Sequence, residues 1–217
     1  LSLINKEVVP AVGCTEPMAV ALCTAKATEI LGRRPEKITV MLSANMLKNA
    51  MGVGIPGTGM VGLPIAIALG AIVGKSEYQL EVIRDLTPST LAMGKEYIAE
   101  DKIDIRLKDG NVDKLYIEVI CEGCGHSATA IITTSHTNFV YEEKDGKVAY
   151  DKRTAAGEVA EDGDIALNMR MVYDFAMTTP VEKLAFILKT KEYNMKAAAE
   201  SIKGNYGHCL GKTMDRP

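Results

Sequence analysis

Tryptophan is absent from this chain, and with three phenylalanines and eight tyrosines its 217 residues cannot build a core from aromatic rings. Alanine, glycine and methionine are plentiful instead, a mix that lets helices approach closely and lets thioethers fill gaps. No sign of charge dominates. A net charge of −3 and a pI near 5.7 give no general attraction to nucleic acid or to an anionic membrane. No internal repeat, low-complexity segment or secretory leader is seen, although a start at Leu1 predicts that residues have been removed. Five cysteines, an odd number without an export signal, predict reduced thiols in a cytoplasmic protein instead of a disulfide framework. The length suits one large domain or two small ones.

Charge is also missing from residues 49–74, NAMGVGIPGTGMVGLPIAIALGAIVG, which Lys48 and Lys75 close off. A membrane span needs about 20 apolar residues. However, Gly52, Gly54, Pro56, Gly57, Gly59, Gly62 and Pro64 break the first half, because proline lacks an N–H and glycine is costly in a helix. Residues 64–73 remain as a helix too short to cross a bilayer. The segment therefore reads as a glycine-rich loop with amides open to a ligand, feeding a small-residue helix buried in a core.

Three stretches differ in texture. In the first, 1–79, Thr15-Glu16-Pro17 reads as a helix start and Gly32 as its end. Residues 38–42 form a short β-prone piece. The middle stretch, 80–152, begins with a helix over 90–100. Ile103-Asp104-Ile105-Arg106-Leu107 then alternates at period two, and 115–121 and 128–141 follow as strands separated by Gly123-Cys124-Gly125. Asp145-Gly146 adds a hairpin signal. In the last stretch, 153–217, Ile165, Met169, Val172 and Phe175 share one helical face, Leu184, Ile187 and Leu188 another, and 196–202 is a further helical piece. The expected class is α+β: a helical domain (1–79 and 153–217) interrupted by a small α+β domain built on an antiparallel sheet.

Several motifs fail on context. Gly52-Val53-Gly54-Ile55-Pro56-Gly57 matches GxGxxG, but a dinucleotide fingerprint must join a strand to a helix, and Pro56 interrupts it. Residues 69–76 come near a phosphate loop with Leu69 where glycine is needed. Cys121 and Cys124 have the spacing of half a zinc knuckle, yet His136, His208 and Cys209 form no second pair, so a hairpin turn is favoured.

Cys14 stands at the predicted N-terminus of a helix, where free amides and the macrodipole lower a thiol pKa. A small buried hydrophobe is an equal reading, and Glu16 brings opposing charge near the sulfur. Ser135-His136-Thr137-Asn138 reads as a solvated strand end or as a recognition tetrad with His136 as donor or acid.

Three of these pieces together resemble the L-cysteine desulfidase family, which is related to the α chain of iron–sulfur L-serine dehydratases. The first is Glu7-Val8-Val9-Pro10-Ala11-Val12-Gly13-Cys14-Thr15-Glu16-Pro17. The second is Lys48-Asn49-Ala50-Met51-Gly52-Val53-Gly54-Ile55-Pro56-Gly57-Thr58, and the third is Ser135-His136-Thr137-Asn138. They occur in the family's order. The resemblance implies a [4Fe–4S] enzyme, one iron acting as Lewis acid, that eliminates the β-substituent of a small amino acid. From L-cysteine the products would be pyruvate, ammonia and sulfide. It implies Cys14 as the base, and a substrate carboxylate bound by Asn49, Gly52, Gly54, Gly57 and Thr58, with Ser135, His136 and Thr137 closing the pocket.

The family's cluster-binding cysteines lie in a C-terminal CDGAK-like stretch that this chain lacks; it stops at Asp215-Arg216-Pro217. The expectation is an N-terminal fragment of such an enzyme, with the cluster held only in the full-length protein and no metal site, cluster or elimination activity in this chain alone. L-Serine dehydratase is the alternative substrate reading. A non-catalytic amino-acid sensor and a zinc module on Cys121 and Cys124 are rivals from other classes. The partner expected is a small amino acid, with no nucleic acid and no membrane; a homo-oligomer is left open.

Overall fold

The structure, a computed structural model, describes residues 1–11, 13–153, 167–205 and 209–214. Val12, Ile165, His208 and residues 215–217, named above, lie outside the described residues. The helices in chain order are α1 (Ser2–Glu7), α2 (Thr15–Leu31), α3 (Ala44–Ala50), α4 (Leu63–Ile72), α5 (Pro88–Ala99), α6 (Met169–Thr178), α7 (Leu188–Lys203) and α8 (Leu210–Met214). The strands are β1 (Lys37–Leu42), β2 (Gly54–Ile55), β3 (Met60–Val61), β4 (Ile103–Leu107), β5 (Tyr116–Gly123), β6 (His126–Thr133), β7 (Phe139–Lys144) and β8 (Lys147–Asp151). Two compact units result, Pro10–Ala160 and Leu1–Val9 with Glu161–Pro217.

The larger unit is α+β, as expected. Its six-stranded sheet has the order β4-β1-β5-β6-β7-β8, and β2 and β3 form a separate hairpin. All pairs of the large sheet are antiparallel except β1 with β4, which runs parallel from Ile38↔Ile103 to Leu42↔Leu107. A strand of the first sequence stretch thus lies between two strands of the middle one, so the boundary at residue 79 does not isolate the sheet. Buried Ile38, Val40 and Leu42 explain the position: an apolar alternating strand is stable inside a sheet with its face against a core.

Helix α2 is the centre of the unit. Met18 through Ala25 are fully buried, because α4 packs on one side and β5 and β6 on another. Small residues make this enclosure feasible. A Cβ on Gly70 of α4 would sit 2.5 Å from the Ala21 carbonyl oxygen, so only glycine permits the observed helix approach. Gly32 caps α2 in the left-handed region, where glycine carries no Cβ penalty.

Helix α4 accounts for the charge-free run. Leu63, Ile65, Ile67 and Leu69 are all fully buried, each contributing about 1.5–3 kcal/mol of transfer free energy. Ten residues reach only about 15 Å, and no described helix is long and apolar enough to cross a membrane.

The expected strand over 128–141 is two strands. Thr134 has φ of +65°, and the Asn138 side-chain amide donates to the Thr133 carbonyl at 3.1 Å, tying residues 134–138 into a turn. The Asp145-Gly146 turn forms as expected, with both residues at positive φ, and so does the Cys124-Gly125 turn.

In the smaller unit, Asn168 caps α6, its side chain accepting from the Met171 amide at 3.0 Å. A 3₁₀ segment, Val181–Ile187, leads into α7. None of the described residues of α6, this segment, α7 or α8 is buried.

Candidate functional site

Cys14 is the N-cap of α2 and Thr15 its first helical residue, one position earlier than the sequence signal suggests. The thiol does not cap the helix. It donates to Glu16 Oε2 at 2.9 Å, and the Thr15 hydroxyl donates to the same oxygen at 3.2 Å.

Partial burial raises the Cys14 pKa above the usual thiol range, and the hydrogen bond to Glu16 raises it further; backbone hydrogen bonds pull less strongly the other way. The Glu16 carboxyl is lowered in turn, mainly by the Cys14 hydrogen bond, with a smaller part from the nearby charge of His136. The pull of the helix end toward a thiolate is opposed here by burial and by Glu16.

The glycine-rich segment is not one loop. Met51 follows α3, the hairpin β2–β3 carries the turn, and α4 begins at Leu63. Gly57, Gly59 and Gly62 all have positive φ, which the tight hairpin requires. The amides of Gly52, Gly57 and Gly59 have no acceptor among the described residues. Asn49 is half-buried at the end of α3, and Gly54 pairs with Val61 in the hairpin.

Thr58 behaves differently from the expectation. It is buried, its hydroxyl donates to the Ile55 carbonyl at 2.7 Å and accepts from the Met60 amide at 2.9 Å. It closes the turn.

The first two motifs meet directly. Gly13 has φ of +80°, and a Cβ there would lie 2.6 Å from Pro56 Cγ. The Cys14 turn thus rests on the hairpin tip at a spot where no larger residue fits. The third motif lies on the β6–β7 turn, and its His136 bears weakly on the Glu16 carboxyl. Ser135 and Thr137 are half-buried in that turn. Beyond the tip runs an open groove of about 440 Å³, walled by Pro56 and Gly57 on one side and Ile83, Arg84, Leu86 and Leu91 on the other; Cys14 does not line it.

Sequence reasoning passed over two residues here. For Pro56 the sequence signals a helix break and motif membership, but not its packing against Gly13. Arg84 belongs to no motif and had no signal. Its guanidinium stacks 3.3 Å from the Tyr78 ring centroid.

The cysteines differ in their surroundings. Cys23 and Cys121 are fully buried, Cys23 donating to the Ala130 carbonyl at 3.3 Å. Cys124 is exposed on the β5–β6 turn beside Glu36, at 3.4 Å, and His126 pairs with Asp145 at 2.9 Å. No group of three or more His, Cys, Asp or Glu among the described residues could hold a metal ion. The described donors fit neither a four-iron cluster nor zinc.

No family model matches the chain, and no solved structure matches it. It is 60% identical over 214 residues to a UPF0597 protein of Bacteroides thetaiotaomicron, covering 99% of this chain and 50% of that protein. A UPF0597 protein of Porphyromonas gingivalis is 48% identical over 218 residues, 98% of this chain and 50% of its own length. One from Aeromonas hydrophila is 39% identical over 217 residues, 99% and 49% respectively. The chain spans about half the length of the curated relatives it matches.

Proposed function

We propose that this chain supplies part of the active site of a lyase that eliminates the β-substituent of a small amino acid, L-cysteine giving pyruvate, ammonia and sulfide. The observation that carries the reading is the packing of Gly13 on Pro56, which joins the Cys14 turn to the glycine hairpin. Two motifs some forty residues apart in sequence share one surface, and His136 of the third bears electrostatically on Glu16.

Each group has a chemical task in this reading. The amides of Gly52, Gly57 and Gly59 receive the substrate carboxylate, as oriented N–H groups do for anions. Cys14 and Glu16 act as a pair: the Sγ proton passes to Glu16 Oε2 as the sulfur takes the Cα proton. The electrons of the Cα–H bond form the double bond while the leaving group departs from Cβ. The enamine tautomerises to an imine, and water releases pyruvate and ammonia. A four-iron cluster in the whole enzyme would take its ligands from outside the described residues.

The test uses the full-length Bacteroides thetaiotaomicron relative, reconstituted with iron and sulfide under anaerobic conditions. Pyruvate with stoichiometric sulfide from L-cysteine is the expected result. Pyruvate from L-serine alone would replace the substrate by serine, and saturable amino-acid binding without turnover would make the protein a sensor. Absence of both turnover and binding would overturn the reading.

A further inference from the structure

Helix α6 buries nothing although its sequence is strongly two-faced. Met169, Val172, Tyr173 and Met177 fall within one arc of the helix, spaced i, i+3, i+4 and i+8, the pattern of a face made for packing. Met169 is 82% exposed and Met177 67% exposed, and Arg170 and Asp174 form an ion pair at the edge of this arc. On α7, Leu188, Met195 and Ile202 recur at intervals of seven and are likewise exposed. Apolar stripes of this kind on a monomer mark an interaction surface, because leaving each such side chain in water forfeits about 1.5–3 kcal/mol.

The size of the relatives points to the occupant. Each is about twice as long as this chain, and the match covers nearly all of this chain. We infer that the apolar faces of α6 and α7 are the docking surface for the polypeptide equivalent to the part of the relatives' length that this chain does not match. The partner face is apolar, because α6 offers methionine, valine and tyrosine where it would touch. Methionine suits such a contact, adapting its unbranched side chain to the incoming surface. Burial on both helices then turns the smaller unit from a set of uncovered helices into one side of a core.

The experiment compares one cysteine in two settings. Tyr173→Cys is made in this chain, and the aligned residue is changed to cysteine in the full-length Bacteroides thetaiotaomicron relative. Maleimide labelling of that position is followed peptide by peptide by mass spectrometry. At least tenfold slower labelling in the full-length protein is expected. Equal rates would overturn the inference, and so would protection in this chain alone, whether concentration-dependent from self-association or concentration-independent from its own larger unit. Met169→Cys, tested the same way, guards against a local effect of losing the tyrosine ring and must give the same order.

Discussion

Glu16→Gln removes one negative charge beside Cys14 and keeps the side chain's shape. The carboxylate oxygen lies 2.9 Å from the sulfur, so ionising the thiol sets two anions almost in contact. At about 4 Å, such a pair repels by ~1 kcal/mol in water and ~4 kcal/mol at an effective dielectric of 20. Both groups are only partly buried, and solvent screening brings the value toward the lower end, about 1 kcal/mol. Since about 1.4 kcal/mol is tenfold, the thiolate fraction at neutral pH should rise roughly fivefold. The assay is alkylation by iodoacetamide from pH 6 to 10, read at the Cys14 peptide by mass spectrometry. In the wild type the midpoint should lie above that of an ordinary thiol, and in Glu16→Gln it should move down while Cys124 stays as an internal reference. An unchanged or slower rate at Cys14 would refute the claim that Glu16 holds its proton.

Gly13→Ala should destabilise the larger unit by about 1–3 kcal/mol, since a Cβ would lie 2.6 Å from Pro56 Cγ at φ of +80°; urea unfolding measures it, and a neutral result would remove the contact that joins the two motifs. Gly70→Ala should cost a similar ~1–3 kcal/mol because the Ala21 carbonyl is backbone and cannot move aside. Thr58→Val should weaken folding by roughly 1–3 kcal/mol through an unsatisfied Met60 amide, and a variant with full stability but lost ligand binding would return Thr58 to the ligand. For pH, burial pushes Cys121 up to about 12 and Cys23 well above its ordinary value. Thiols raised in the folded state favour folding fully below the unfolded thiol pKa, and that contribution falls as pH rises past it. The urea midpoint should therefore decline from about pH 8 to 10, less so in Cys121→Ala; a flat profile in the wild type would contradict it.

Local chemistry made much of the fold legible. The Gly32 stop of α2, the short helix inside the charge-free run and the Asp145-Gly146 turn each follow from residues adjacent in sequence. The place of β1 between β4 and β5 does not, because pairing Ile38 with Ile103 depends on the whole intervening stretch folding first. The break at Thr134 was hidden by chemistry pointing the other way: a β-branched residue at positive φ is disfavoured, and the tertiary turn holds it there.

The candidate site was legible as three motifs but not as an arrangement. Helix-terminus electrostatics suggested a thiolate at Cys14, yet only coordinates show the Glu16 side chain folded back onto the sulfur. The family resemblance is what implies a ligand contact at Thr58. Its orientation into the turn follows from the Met60 amide, which sequence does not display.

The central claim is that the Cys14 turn, the glycine hairpin and the β6–β7 turn form one receptacle for a small amino acid. Amide NMR of this chain titrated with L-serine, which resists oxidation, tests it most directly. Residues 13–16, 52–59 and 135–137 should shift together and saturate with a single dissociation constant. Shifts confined to one of the three segments, or centred on the distant Cys124 turn, would contradict the account.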